Sequence, residues 1–124
     1  MDYYLADDVA ALTKKIIKIL DFRHIDISRL GFIRSKGTKS KNIQARIHTI
    51  GKIWFTSFNI SPRYTIEVIS EIYDRLTQDE KEQVIIHELL HIPREFSGGF
   101  VQHRKRITYL KVRKFFKKYK EYEK

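Results

Sequence analysis

The segment TQDEKEQVIIHELLHIP, residues 77–93, has a legible start and a legible stop, and it constrains the rest of the chain. Thr77 followed three residues later by Glu80 forms a capping box, and Asp79 adds negative charge to the first turn, so a helix begins near Gln78. Pro93 cannot donate to the carbonyl of residue 89 and disfavours helical geometry at Ile92, so the helix stops near His91 or Ile92. At about 100° per residue, His87, His91 and Glu88 share one stripe, while Ile85, Ile86, Leu89, Leu90 and Ile92 fill the other sides. A segment so apolar elsewhere is buried, and three ionisable side chains on its remaining face are costly without partners.

A divalent metal ion removes that cost. His87 and His91 lie one turn apart in the pattern H-E-x-x-H, so two imidazoles reach one ion, with Glu88 beside its open side as a base. A catalytic site of this kind takes a third protein ligand and keeps a position for water. His103 follows His91 by twelve residues, beyond the flexible reversal Ser97-Gly98-Gly99, and is the expected third ligand. Glu95 is the rival, on the His91 face only if the helix ran through Pro93. His24 and His48 are isolated in sequence and read as ordinary polar positions.

Upstream, Asp7 or Asp8 caps a first helix in which Val9, Leu12, Ile16, Ile17 and Leu20 recur at helical spacing and Lys14, Lys15 and Lys18 point outward. Leu30 to Arg34 reads as a strand, followed by the basic loop Arg34 to Lys41. Alternation over Ala45 to Ile50, the pair Gly51-Lys52, and the β-branched and aromatic run Ile53 to Ile60 predict a hairpin. Tyr64 to Val68 is a further strand. From about Val101 the spacing of Ile107, Leu110, Lys111, Lys114 and Phe115 predicts a long final helix. The expected class is α+β in one domain spanning 1–124: a first helix, a short mostly antiparallel sheet of three or four strands, the H-E-x-x-H helix and a basic last helix.

Charge is unevenly placed. The 124 residues carry 25 Lys and Arg against 15 Asp and Glu, a formal +10, but residues 104–124 hold ten of the cations and two of the acids. A basic end of this kind suits phosphate contacts or a solvated helix face. Phe115 and Tyr119 are spaced i, i+4, which favours packing over stacking on bases. With no Cys, a disulfide scaffold, a thiolate zinc finger and a cysteine nucleophile are excluded. No apolar run approaches the roughly 20 residues of a membrane span, and the acidic start lacks the form of a signal peptide, so a cytoplasmic monomer is expected.

The stretch from Thr65 through His103, with IHELLHIP, then EFSGG and a later His, resembles the zinc metallopeptidases predicted in archaea and bacteriophages, zincins similar in plan to SprT-like proteases. IRSKGTKSKNIQARIH and IWFTSF extend the resemblance over most of residues 30–107. It implies a zincin-like domain with the active-site helix against a small sheet, His87, His91 and His103 as ligands to Zn2+, and Glu88 as general base. The chain departs from metzincins, which place Gly at the position of Arg94 and His at that of Ser97, and it lacks the distal glutamate helix of thermolysin-like enzymes.

The chemistry so implied is metal-assisted hydrolysis of a peptide or protein substrate. Zinc lowers the pKa of a water, and Glu88 takes its proton and passes it to the leaving amine. Arg94, Arg104 and Tyr64 are the candidates for stabilising the oxyanion. The competing reading is a nucleic-acid-binding protein, or a DNA-associated protease of SprT-like type, that uses the basic C-terminal helix.

Overall fold

The computed structural model describes residues 1–101 and 109–123. In chain order the elements are β1 (Asp2–Leu5), α1 (Asp7–Leu20), a short 3-10 turn (Ile27–Arg29), β2 (Leu30–Lys36), β3 (Ala45–His48), α2 (Lys52–Ser57), β4 (Tyr64–Ile69), α3 (Ser70–Tyr73), α4 (Gln78–Leu89) and α5 (Tyr109–Glu123). The class is α+β, as the sequence predicts. The sheet runs β1-β2-β4-β3; β2 and β4 are parallel and the two outer pairings are antiparallel.

Ile66 and Val68 alternate with Glu67 along β4, so they share the sheet face that meets the helices. That face packs against Val9, Ile16, Ile17 and Leu20 of α1, Ile85, Ile86 and Leu89 of α4, and Val112 and Tyr119 of α5 in one core. The apolar spacing predicted for α1 holds, and Lys14, Lys15 and Lys18 are exposed. Its start differs. Ala6 occupies the cap position without a side-chain bond, and Asp7 and Asp8 lie inside the first turn. There they complement the positive helix end. Asp8 is also held by Arg34, 2.8 Å away, which reaches Asp74 at 2.7 Å.

The predicted hairpin does not form. Residues 52–57 are the helix α2, and the antiparallel neighbour of β3 is β4, with Arg46 opposite Glu67 and His48 opposite Thr65. Composition favoured a strand there, but Trp54 and Phe58 are four apart and stack at 5.9 Å with ring planes 13° from parallel, a helical contact. Only Phe55 of α2 is buried. The strand β1 gave no sequence signal, because its four residues are all exposed and carry no alternation.

The last helix begins at Tyr109; the part predicted between Val101 and Tyr109 lies outside the described residues. Phe115, Phe116 and Tyr119 turn towards the core, and Phe115 meets Phe22 edge-on at 5.3 Å, but Leu110 of the predicted stripe faces solvent and Val112 takes the inward position. Lys120 bridges Asp79 at 2.9 Å and the buried Glu82 at 2.7 Å, which ties α5 to the start of α4. Arg113, Lys114, Lys117 and Lys118 are exposed. No helix among the described residues is long and apolar enough to cross a membrane.

Candidate metal centre

The capping box forms as the sequence requires: Thr77 Oγ1 accepts from the Glu80 backbone at 3.2 Å, and Glu80 Oε1 accepts from the Thr77 backbone at 2.9 Å. Thus started, α4 runs to Leu89, and its end tightens into i, i+3 bonds from His91 N to Glu88 O and from Ile92 N to Leu89 O, both 3.1 Å. Regular α-helix thus ends at Leu89, two to three residues short of the predicted stop at His91 or Ile92, and the tightened turn carries the chain to Pro93, which cannot continue it. The tightened turn still leaves His91 over His87, with ring centroids 5.1 Å apart.

Potential ligand atoms of His87, Glu88 and His91 lie within 4.8 Å of one another. Glu88 is 5% exposed, and burial pushes its carboxyl up to about 8. Two imidazoles beside a carboxyl that burial keeps from ionising form a donor set suited to a divalent cation, whose charge would favour the ionised carboxylate. His91 Nδ1 lies 2.9 Å from the Val101 carbonyl. A carbonyl only accepts, so Nδ1 carries the hydrogen, and in the neutral ring Nε2 presents its lone pair. The Val101 N–H donates back to the His91 carbonyl at 2.8 Å.

These residues form one wall of a cleft of about 950 Å³, with β3, one of the two edge strands of the sheet, along the other. Arg46 and His48 of that strand flank the buried Glu67, at 3.3 Å and 2.7 Å. Burial would raise the Glu67 carboxyl, but Ser35, His48 and Arg46 outweigh it and hold the carboxyl below its ordinary value. His48 thus has the structural partner expected of an ordinary polar position. His24 lies against the backbone of Ile92, and burial, then the charge of Arg94, lower its pKa.

The other sequence candidates separate. Tyr64 is buried, and its hydroxyl accepts from Gly98 N and donates to Gly99 O, each at 2.9 Å, so it staples the loop after α4. Arg94 is exposed and lines a second cleft of about 540 Å³ with His24. Glu95 is exposed in the turn beyond Pro93. His103 and Arg104 lie outside the described residues. Sequence reasoning missed the Val101 carbonyl, since a backbone group carries no residue signal.

The same loop makes Gly98 indispensable. Its φ is +98°, and a Cβ there would stand 2.7 Å from Phe55 Cε2. Gly98→Ala is expected to cost about 1–3 kcal/mol, measured as a lowered urea midpoint at constant slope.

A family model described as "Putative phage metallopeptidase" matches residues 1–120. That span reaches beyond residues 30–107 to take in α1 and most of α5. No curated protein and no solved structure matches the chain. A match over nearly the whole length, joined to a convergent His-Glu-His cluster on a capped helix, places this chain in the phage metallopeptidase family.

Proposed function

We propose that this chain is a zinc-dependent peptidase, with His87, His91 and His103 as ligands and Glu88 as general base, related in plan to SprT-like proteases. The convergence of His87, Glu88 and His91 in the wall of a peptide-sized cleft carries the reading. Its donor set of imidazoles with no thiolate suits zinc. His103 is supported by the chain's return to His91 at Val101, two residues before it. Two residues span at most about 7 Å.

A bound ion supplies Lewis acidity to a water and to the substrate carbonyl. Glu88 accepts the proton of the attacking water and delivers it to the departing amine nitrogen as the C–N bond breaks, leaving a carboxyl and an amine. The unpaired side of β3 offers N–H and C=O groups to an extended substrate, which would add as a strand. Among the oxyanion candidates, the commitments of Tyr64 and the placement of Arg94 favour Arg104, next to His103. The reading is tested by zinc content after purification without chelator and by peptide cleavage with Glu88→Gln as the control; zinc-free protein, or undiminished cleavage by the variant, overturns it.

A second reading rests on α5, where Arg113, Lys114, Lys117 and Lys118 stand exposed beside Tyr122. It adds nucleic acid as a partner held through phosphate contacts. Affinity for a DNA duplex should then fall steeply between 50 and 200 mM salt, about 10³-fold if some six phosphates are engaged. An absence of binding at low salt ends it.

A further inference from the structure

Where β3 leaves the candidate cleft, the chain displays apolar side chains to solvent. Ile53 is 75% exposed, Trp54 52% and Phe58 64%, and Ile50 stands exposed before them. The stacked Trp54 and Phe58 present one broad aromatic surface. An apolar patch of this kind marks an interaction site more often than an ordinary surface.

The patch is rigidly built. Phe55 anchors α2 from beneath, Gly98 closes on its ring, and Ile60 N bonds to Phe55 O at 3.0 Å. It is also joined to the walls of the cleft along the chain in two ways. β3 lines the cleft and runs through Ile50 into α2. Phe100 lines the cleft 6.4 Å from the His91 ring and follows the glycines that pack against Phe55 and bond to Tyr64.

We propose that α2 and Phe100 form a recognition surface for apolar side chains of the peptide bound in the cleft, so that the substrates are extended or unfolded protein segments bearing bulky aliphatic or aromatic residues near the scissile bond. The inference rests on the peptidase reading above. Only Thr49, Ile50 and Gly51 separate β3 from α2, and an extended chain advances about 3.3 Å per residue, so a peptide running along β3 towards α2 would reach that surface within a few residues. Folded proteins bury most such side chains. The surface therefore selects segments that have lost or not yet gained their core.

Trp54 is the one tryptophan of the chain, so its emission reports on the patch directly. Zinc-supplemented Glu88→Gln protein is titrated with labelled ten-residue peptides carrying Leu and Phe, or Ser at the same positions, following label anisotropy and Trp54 emission together. The apolar peptide should give a saturable blue shift and bind at least tenfold more tightly than the Ser peptide. Ile53→Ser/Phe58→Ser, a double change at exposed positions, should reduce the wild type's selectivity in kcat/KM for the apolar peptide about tenfold. Saturable binding without a change in Trp54 emission, or unaltered selectivity in the double variant, overturns the proposal. A shift seen only with phosphatidylcholine–phosphatidylglycerol vesicles, or only on raising protein concentration, overturns it in favour of a membrane or a second copy. A shift with the apolar peptide but no cleavage by wild type supports the surface and sinks the peptidase reading alone; no binding and no cleavage sinks both.

Discussion

Glu88→Gln should lower peptide cleavage by about 10²–10⁴-fold, the usual contribution of a positioned general base, while zinc content stays at the wild-type level. The amide keeps the shape of the carboxylate and removes its ability to take a proton. The same change should stabilise the metal-free fold at neutral pH. In that fold the carboxyl titrates at about 8 against 4.5 for an ordinary glutamate, because it is buried. Below pH 4.5 it is neutral in folded and unfolded chains alike; between 4.5 and 8 the unfolded chain ionises and the folded one resists, so wild-type stability falls as pH rises. Melting in chelator at pH 5 and pH 8 should show the variant's advantage growing to a few kcal/mol, an order-of-magnitude figure from the linkage. Equal pH dependence in both proteins would show that burial does not hold Glu88 protonated. A site residue that weakens its own fold in exchange for chemistry is expected of functional positions.

With His91 as a ligand, as proposed above, His91→Ala should cost more than the 10–100-fold in metal affinity that outer-shell changes typically cost. Zinc present at a thousand times its Kd stabilises a folded chain by about 4 kcal/mol, and the variant should lose nearly all of that gain. Competition with a chromophoric chelator gives the affinity, and melting with and without zinc gives the linkage. His103→Ala run alongside assigns the third ligand: a comparable loss places His103 in the set, whereas wild-type affinity with a loss in Glu95→Ala transfers the role to Glu95. Because His91 also bonds to Val101, His91→Ala should loosen the Phe100–Val101 segment, visible as faster amide exchange there.

Most of the helical half of the fold was legible because its signals are local. The capping box at Thr77 and Glu80 and the 3.6-residue spacing of α1 each act within a turn or two of chain, whereas the end of α4 falls at Leu89, before the predicted stop, and in α5 the predicted stripe placed Leu110 inward although it is exposed. The sheet was less so. The residues of α2 have strand composition, and only tertiary context decided between a hairpin and a helix that buries Phe55 alone. Nor could sequence show that β3 pairs with β4, since that register rests on contacts some twenty residues apart. At the site, side-chain chemistry could be read from the H-E-x-x-H spacing, whereas the backbone partner that orients His91 could not. Tyr64 illustrates the converse case: a hydroxyl near a candidate centre invites a catalytic reading, yet its geometry commits it to Gly98 and Gly99.

The paired bonds between His91 and Val101 make the readiness of one ring nitrogen depend on a carbonyl ten positions away. Without that carbonyl the tautomer with hydrogen on Nδ1 loses the acceptor that favours it, and the other tautomer carries its N–H on Nε2 in place of a lone pair. The bond to Val101 therefore disfavours that second tautomer. The tautomer of His91 is thus set by the returning chain, and a fragment ending before residue 101 would keep the whole H-E-x-x-H signature while losing the bond that favours a lone pair on Nε2 of its second histidine.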